Sequence, residues 1–294
     1  MKFLSIIIVS FNTRLITLKC LRHLKNNFKK YPLDYEIIIV DNGSIDGSIQ
    51  MLKEEQKNWT NLQLILSKKN LGYGKANNLG VQKSKGQYVL YLNSDAIIND
   101  IDFRDLVNIF EAQPQIGALT VKVVLKNGEI DPASHRGFPT LWWSFCYFIG
   151  LEKLFYRTFL LNKLFGGYHL TNRNLSTVHE IDAGTGAFFL TKKEIIDRIG
   201  GFDKDYFAYG EDIEMAYRIK ELGYKILYYP LWQVLHLKYS SGLKKNDKKT
   251  RETTRFHFYQ AMKIFYTKHY AKKNFWLVNQ LVYLAIDLKS NLRF

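Results

Sequence analysis

Residues 36–48 read EIIIVDNGSIDGS. Ile37, Ile38, Ile39 and Val40 follow one another without polar alternation, as expected of a strand covered on both faces. The run stops at Asp41, and the turn formers Asn42-Gly43 and Asp46-Gly47 follow. The Asp41 carboxylate is thereby expected at a strand-to-loop junction, open to a ligand. An acceptor there could take a hydrogen bond from a ring N–H of uracil or thymine, or from a ribose hydroxyl. The plainer reading is a turn carboxylate that caps the next helix.

Working outward, residues 4–9 form a second apolar run, and residues 62–66 and 88–92 resemble two more strands. Between the first two, Leu15, Leu18, Leu21, Leu24 and Phe28 recur every three or four residues with Lys19, Arg22, Lys25 and Lys29 among them, the pattern of an amphipathic helix. Helical segments are also expected near 45–56 and 75–83. Strand and helix in alternation indicate an α/β chain with a mainly parallel central sheet and helices on both faces. Ligands of such sheets bind beyond the carboxyl ends of the strands, which directs attention to Asn12, Asp41 and Asn93–Asp95. Further along, a helix (103–111), a strand (118–125) and a less regular aromatic-rich segment (131–179) precede a strand at 187–190 and helices at 192–198 and 211–222. Two extended runs, 224–229 and 233–237, lead into a helical tail at 252–270 and 274–288. One catalytic domain (1–242) with a basic helical appendage (243–294) is the expected organisation.

Four segments offer chemistry. In NLGYGKANNLG (70–80), Gly72, Lys75 and the amides precede or open a helix. Backbone N–H groups and a helix N-terminus attract anions, and Lys75 could approach a diphosphate; glycines that merely turn a loop are the alternative. In YLNSDAI (91–97) a buried strand halts at Asn93-Ser94-Asp95, presenting oxygen ligands of the kind Mg2+ takes beside substrate phosphates, with Asp95 carrying the charge. An N-cap role for Asp95 competes with that reading. GEDIEMAYR (210–218) opens a helix with Glu211 and Asp212, favoured there by the macrodipole, and a partly desolvated carboxylate among the flanking aromatics would serve as a general base. Glu214 is expected in solvent, and Arg218 is expected to pair with a nearby acid. His236 lies in an extended apolar run, where a lone histidine is more often a satisfied core residue than a ligand.

Composition narrows the classes. Aromatic residues make up 15% of the 294 residues and the net charge is +15. Between Lys238 and Lys273 eleven Lys/Arg face only Asp247 and Glu252, which suggests a surface for polyanions, nucleic acid or anionic lipid. Cys20 and Cys146 form no CxxC pair, so a reducing compartment is the default. The opening MKFLSIIIVSFNTR has no small-residue cleavage site and is better explained as a buried strand than as a signal peptide. No run reaches the roughly 18–20 apolar residues of a membrane span. Trp142, Trp143, Phe145, Tyr147, Phe148, Phe275 and Trp276 would suit an interfacial foot on a membrane, or core or dimer contacts. The aromatics of the tail do not form a recognisable base-stacking module, so no nucleic-acid partner is expected.

Taken in order, SIIIVSFN (5–12), VDNGSIDGS (40–48), NLGYGKANNLG (70–80), LNSD (92–95), the long GTGAFFLTKKEIIDRIGGFDKDYFAYGEDIEMAYRIKELGYKILYYP (184–230) and VLHLKYSSG (234–242) resemble the inverting family 2 glycosyltransferases of the GT-A fold, especially a rhamnosyltransferase-like branch. The resemblance covers residues 2–242. It implies that Asp41, with Asn12 on the neighbouring loop, binds the donor nucleotide, and that Asn93 and Asp95 stand at the metal-binding Asp-x-Asp position, one formal charge short. It implies Asp212 as the catalytic base, His236 as a further metal or diphosphate contact, and Gly184, Thr185 and Gly186 on the acceptor side with Glu211. A nucleotide-sugar donor with UDP or dTDP, Mg2+ or Mn2+, and a glycan or lipid-linked saccharide acceptor follow as expectations. So does a cytoplasmic setting, peripheral on the inner face of the cell membrane. A nucleotidyltransferase would carry a glycine-rich loop after the first strand, where FNTRL has none. An inactive sugar-binding scaffold would be indifferent to Asp212→Asn.

Overall fold

The structure, a computed structural model, describes residues 3–238 and 248–291. The first half alternates β1 (Leu4–Ser10), α1 (Arg14–Lys30), β2 (Tyr35–Asp41), α2 (Ser48–Lys57), β3 (Leu62–Leu66), α3 (Tyr73–Lys83) and β4 (Tyr88–Leu92). It continues through β5 (Ala96–Ile98), α4 (Phe103–Ala112) and β6 (Ile116–Leu125). The second half holds α5 (Leu141–Phe148), α6 (Leu151–Leu154), α7 (Phe159–Phe165), β7 (His179–Ile181), β8 (Phe188–Lys192), α8 (Lys193–Ile199), α9 (Glu211–Glu221), β9 (Lys225–His236), α10 (Lys248–His269) and α11 (Trp276–Asn291).

One sheet runs through the molecule in the order β3-β2-β1-β4-β8-β6-β9-β5, with β7 paired to β9. The expected parallel ladder is its first part: β3, β2, β1 and β4 all run the same way. Beyond β4 the sheet is mixed. Strand β8 is antiparallel to both β4 and β6, whereas β6 and β9 are parallel. Strand order reverses at β1, which has β2 on one side and β4 on the other. A crevice therefore opens beyond the carboxyl ends of β1 and β4.

Helices cover both faces. Strand pleating sends Ile6, Ile8, Leu90 and Leu92 to one core, together with Leu21 and Leu24 of α1, Leu52 of α2 and Phe110 of α4. Ile7, Val89 and Tyr91 point the other way, to a second core with Val81 of α3, Ile196 of α8 and Ile219 of α9. Each such buried aliphatic side chain contributes about 1.5–3 kcal/mol. Helix α10 belongs to this second core through Ala261 and Phe265. The expected boundary at 242/243 lies outside the described residues, as does much of the Lys-rich run that follows it.

Two expectations need correction. The extended runs at 224–229 and 233–237 are one strand, β9, because β6 pairs Val121 with Tyr229 and Lys122 with Gln233, leaving Pro230 and its neighbours in a bulge. Proline lacks the N–H that an unbroken ladder would need, and a bulge tolerates it. The aromatic segment 131–179 is less irregular than expected, since it contains α5, α6 and α7. Thr140 starts α5 by accepting a hydrogen bond from the Trp143 N–H.

Candidate active site

The loops after β1 and β2 are tied to each other. Asn12, in the left-handed region at φ 52°, accepts a hydrogen bond from the Ile45 N–H at 2.8 Å, and its own N–H donates to Ser44 Oγ at 2.9 Å. Its side chain is thus committed to loop geometry and is not part of the cleft lining. Asp41 is fully buried, and Oδ1 accepts from the Ser44 N–H at 2.9 Å. Oδ2 is buried and has no protein partner. Helix α2 takes its capping bond from Asp46 instead, to which the Ser48 N–H donates at 3.0 Å. Asn42 holds the next loop, donating to Asn70 Oδ1 and accepting from the Leu71 N–H, both at 2.9 Å. Gly72 lines the cleft, whereas Lys75 is exposed on α3 and does not.

At the end of β4 the structure brings together residues far apart in sequence. Asp95 Oδ1 lies 3.3 Å from His236 Nε2, and Asn93 Nδ2 lies 3.5 Å from the same nitrogen. The opposite ring nitrogen, Nδ1, is 2.9 Å from Asp131, a fully buried carboxylate that sequence reading passed over. Lys238 donates to the other Asp131 oxygen at 2.8 Å. Burial alone would raise the Asp131 carboxyl, but bonds from His236 and Lys238 hold it well below the usual carboxylate range. Burial likewise works to lower His236, yet its bonds to Asp131 and Asp95 push it up to about 9. Asp95 caps no helix; β5 follows it directly, pairing Ala96 with His236 across the sheet edge.

Helix α9 supplies the acids on the remaining side. Its N-cap Gly210 is left-handed, and Glu211, Asp212 and Glu214 occupy the first turn, complementing the macrodipole. Asp212 Oδ2 is held at 2.6 Å by Arg136 Nη2, which also donates to the Gly184 carbonyl at 2.6 Å. Arg136 is buried and its Nε has no protein acceptor. Glu211 is buried too, with Oε2 unpartnered; desolvation first and the adjacent Asp212 charge second push its carboxyl up to about 8. Glu214, expected in solvent, is 1% exposed and forms a two-point ion pair with Arg218 at 2.5 and 2.7 Å. The expected acid partner of Arg218 is therefore its i−4 neighbour. Gly184 lies behind the wall, whereas Thr185 and Gly186 line it.

One cleft of about 510 Å3 is lined by Asn42, Gly72, Asn93, Asp95, Arg136, Thr185, Glu211, Asp212 and His236, among others, whereas Asp41 lies beneath its neighbour Asn42 and is not part of that lining. The family model "Glycosyl transferase family 2" matches residues 5–200, two-thirds of the chain. The chain belongs to glycosyl transferase family 2. Over 218 residues this family 2 glycosyltransferase is 25% identical to the N-acetylglucosaminyl-diphospho-decaprenol L-rhamnosyltransferase of Mycobacterium tuberculosis, covering 70% of this chain and 68% of that one. It is also 25% identical over 206 residues to the poly-beta-1,6-N-acetyl-D-glucosamine synthase of Staphylococcus epidermidis, covering 68% of this chain but only 42% of the synthase. Among solved structures it superposes on a mannosyltransferase of Pyrobaculum calidifontis in complex with GDP-Man and Mn2+, with TM-score 0.57, 16% identity and coverage of 98% and 70%. It likewise superposes on Staphylococcus aureus TarS residues 1–349, with TM-score 0.55, 16% identity and coverage of 99% and 81%. The fold is GT-A.

In this family 2 glycosyltransferase no three imidazole, thiol or carboxylate groups among the described residues already surround a point for a metal ion. Asp95 and His236 nevertheless suit one. A hard divalent cation takes one or two protein ligands and completes its shell with phosphate oxygens and water. The Asp131 bond to Nδ1 fixes the ring so that Nε2 faces the cleft beside Asp95, the usual support for a metal-binding imidazole. Asp131 and Arg136 escaped sequence reading because neither sits in a recognisable motif and both act on partners many residues away. For Arg136 the one available signal was a basic residue in a segment dominated by aromatics.

Proposed function

We propose that this glycosyltransferase moves a sugar from a UDP- or dTDP-linked donor to a hydroxyl of a glycan or lipid-linked saccharide during cell-surface polysaccharide synthesis, inverting the anomeric centre. The observation that carries this reading is a single cleft lined both by Asp95 with His236 and by Asp212. The name of the mycobacterial relative supports a deoxyhexose donor and a polyprenyl-diphosphate-linked acceptor, and the staphylococcal one supports a polysaccharide product.

Asp41 would receive a hydrogen bond from the donor's base or ribose through its free Oδ2. Asn42 and Gly72 would shape the passage beside it. Mg2+ or Mn2+ would be held by Asp95 and His236 and would supply positive charge against that developing on the leaving diphosphate. Asp212 would take the proton of the acceptor hydroxyl as the oxygen attacks the anomeric carbon and the sugar–phosphate bond breaks. Arg136 and the Ile213 N–H hold that carboxylate in place at the cleft wall. One displacement needs no covalent protein nucleophile. Thr185, Gly186 and Glu211 would face the acceptor.

The test is a screen of sugar nucleotides for hydrolysis and transfer with Mg2+ or Mn2+, repeated with Asp95→Ala and Asp212→Asn. Loss of a general base is expected to lower transfer by about 10²–10⁴-fold. Normal turnover by either variant would remove the role assigned to that residue.

A further inference from the structure

We propose that the outer surface of α5–α7 is a docking face for an anionic lipid bilayer, which sets the mouth of the cleft at the membrane surface. The proposal rests on reading the acceptor as lipid-linked. Its first support is apolar exposure. Phe159 and Leu160 at the start of α7 are 76% and 75% exposed, and Trp142 and Phe145 of α5 and Ile149 just after it are about half exposed. The Trp142 and Phe145 rings lie 6.2 Å apart and Trp142 Nε1 donates to the Leu164 carbonyl of α7 at 2.9 Å, so α5 and α7 share this surface, and exposed apolar side chains grouped in this way mark a contact site.

The second support is charge. Lys153, Arg157, Lys163 and Arg173 are all exposed around this surface. The one acid between residues 141 and 178, Glu152, is turned inward, accepting from the His169 N–H at 2.9 Å and lying 3.0 Å from His169 Nδ1. Lys163 sits 4.2 Å from the centre of the Phe159 ring, so an apolar residue and a cation are offered together. A second copy of the chain docking through the same face would set these cations against their equals, whereas an anionic bilayer pairs them all. Among the described residues no helix is long and apolar enough to cross a membrane; the contact proposed for α5–α7 is interfacial.

The third support is continuity with the site. Helix α5 carries Ser144, Tyr147 and Phe148 into the cleft lining while its Trp142 and Phe145 stand outside it. Helix α11 closes against the same helix, with Lys289 Nζ donating to the Phe148 carbonyl at 3.3 Å. A polyprenyl chain left in the bilayer would thus place its sugar at the cleft without being extracted into water.

The experiment is flotation of the full chain with vesicles of phosphatidylcholine alone and of phosphatidylcholine with phosphatidylglycerol, at low and high salt. The wild type is expected to float with the anionic vesicles and to bind them less at high salt. Phe159→Ser with Leu160→Ser is expected to weaken binding by about tenfold or more, and Arg157→Glu with Lys163→Glu to abolish the preference for phosphatidylglycerol. A wild type that floats with neither vesicle, or a serine variant that floats equally well, would overturn the proposal. So would gel filtration showing that the serine variant turns a wild-type dimer into a monomer. Sugar-nucleotide turnover in vesicle-free buffer is expected to be equal for the wild type and the serine variant. Turnover absent from the wild type with every donor would count against the catalytic reading and leave the flotation result standing.

Discussion

The residues proposed to carry the chemistry have neighbours set by the fold rather than by adjacency. Asp131 reaches His236 across 105 positions of sequence and Arg136 reaches Asp212 across 76. Replacing Asp131 with Ala removes the acceptor that orients the imidazole. Mn2+-dependent affinity for a nucleoside diphosphate, measured by titration calorimetry, is expected to fall about 10–100-fold. Glu211 makes a separate prediction. Burial and Asp212 raise its carboxyl from its ordinary 4.5 to about 8, so through that window the folded protein keeps a proton that the unfolded chain has released. Stability is therefore expected to fall as pH rises from about 5 to 8. Glu211→Gln, which mimics the protonated side chain, is expected to flatten that slope in urea melts followed at several pH values. An equal slope in both proteins would show that Glu211 titrates normally.

At the scale of elements, the crevice depends on close approach between loops. Gly72 has φ +84°, and a Cβ there would lie 2.3 Å from the Phe207 carbonyl oxygen. That carbonyl also accepts from the Tyr73 N–H at 3.0 Å, so the loop before α3 is fastened to the loop before α9. Gly72→Ala is expected to cost about 2 kcal/mol or more, from left-handed strain with the clash added. Gly128 shares a positive φ of +82° but has nothing within 4 Å, so Gly128→Ala is expected to cost only about 1 kcal/mol. Thermal melts compare the two. The elements themselves were largely legible: β1, β2, β3 and β4 are mostly apolar runs, and α1 follows from its periodicity. Strand β5 was not, because a run of three residues, Ala96–Ile98, becomes a strand only by pairing with the end of β9. The join across Pro230 was hidden for the same reason: the bulge is a property of the β6–β9 ladder, not of either segment alone.

At the scale of the whole molecule, the order of strands puts the end of β1 beside the end of β4, and the antiparallel β8 then carries the chain on to α8 and α9. That arrangement opens Asp95 and Asp212 to a common cavity although they come from different halves of the sequence. Helix α10 completes it, since Phe258, Ala261, Met262 and Phe265 line the cleft, and Ala261 and Phe265 also anchor the helix in the core. The sequence motifs marked the ends of the strands as the place for chemistry. They did not reveal that the tail returns to wall the site, because a basic helix with scattered aromatics reads the same whether it is docked or free.

The most direct test separates the two functions assigned to this cavity on the same pair of variants. Titration calorimetry with the nucleoside diphosphate and Mn2+ should show that Asp95→Ala loses metal-dependent binding while Asp212→Asn binds as tightly as the wild type, although it no longer transfers sugar. Retained metal-dependent binding by Asp95→Ala, or full transfer by Asp212→Asn, would contradict the account.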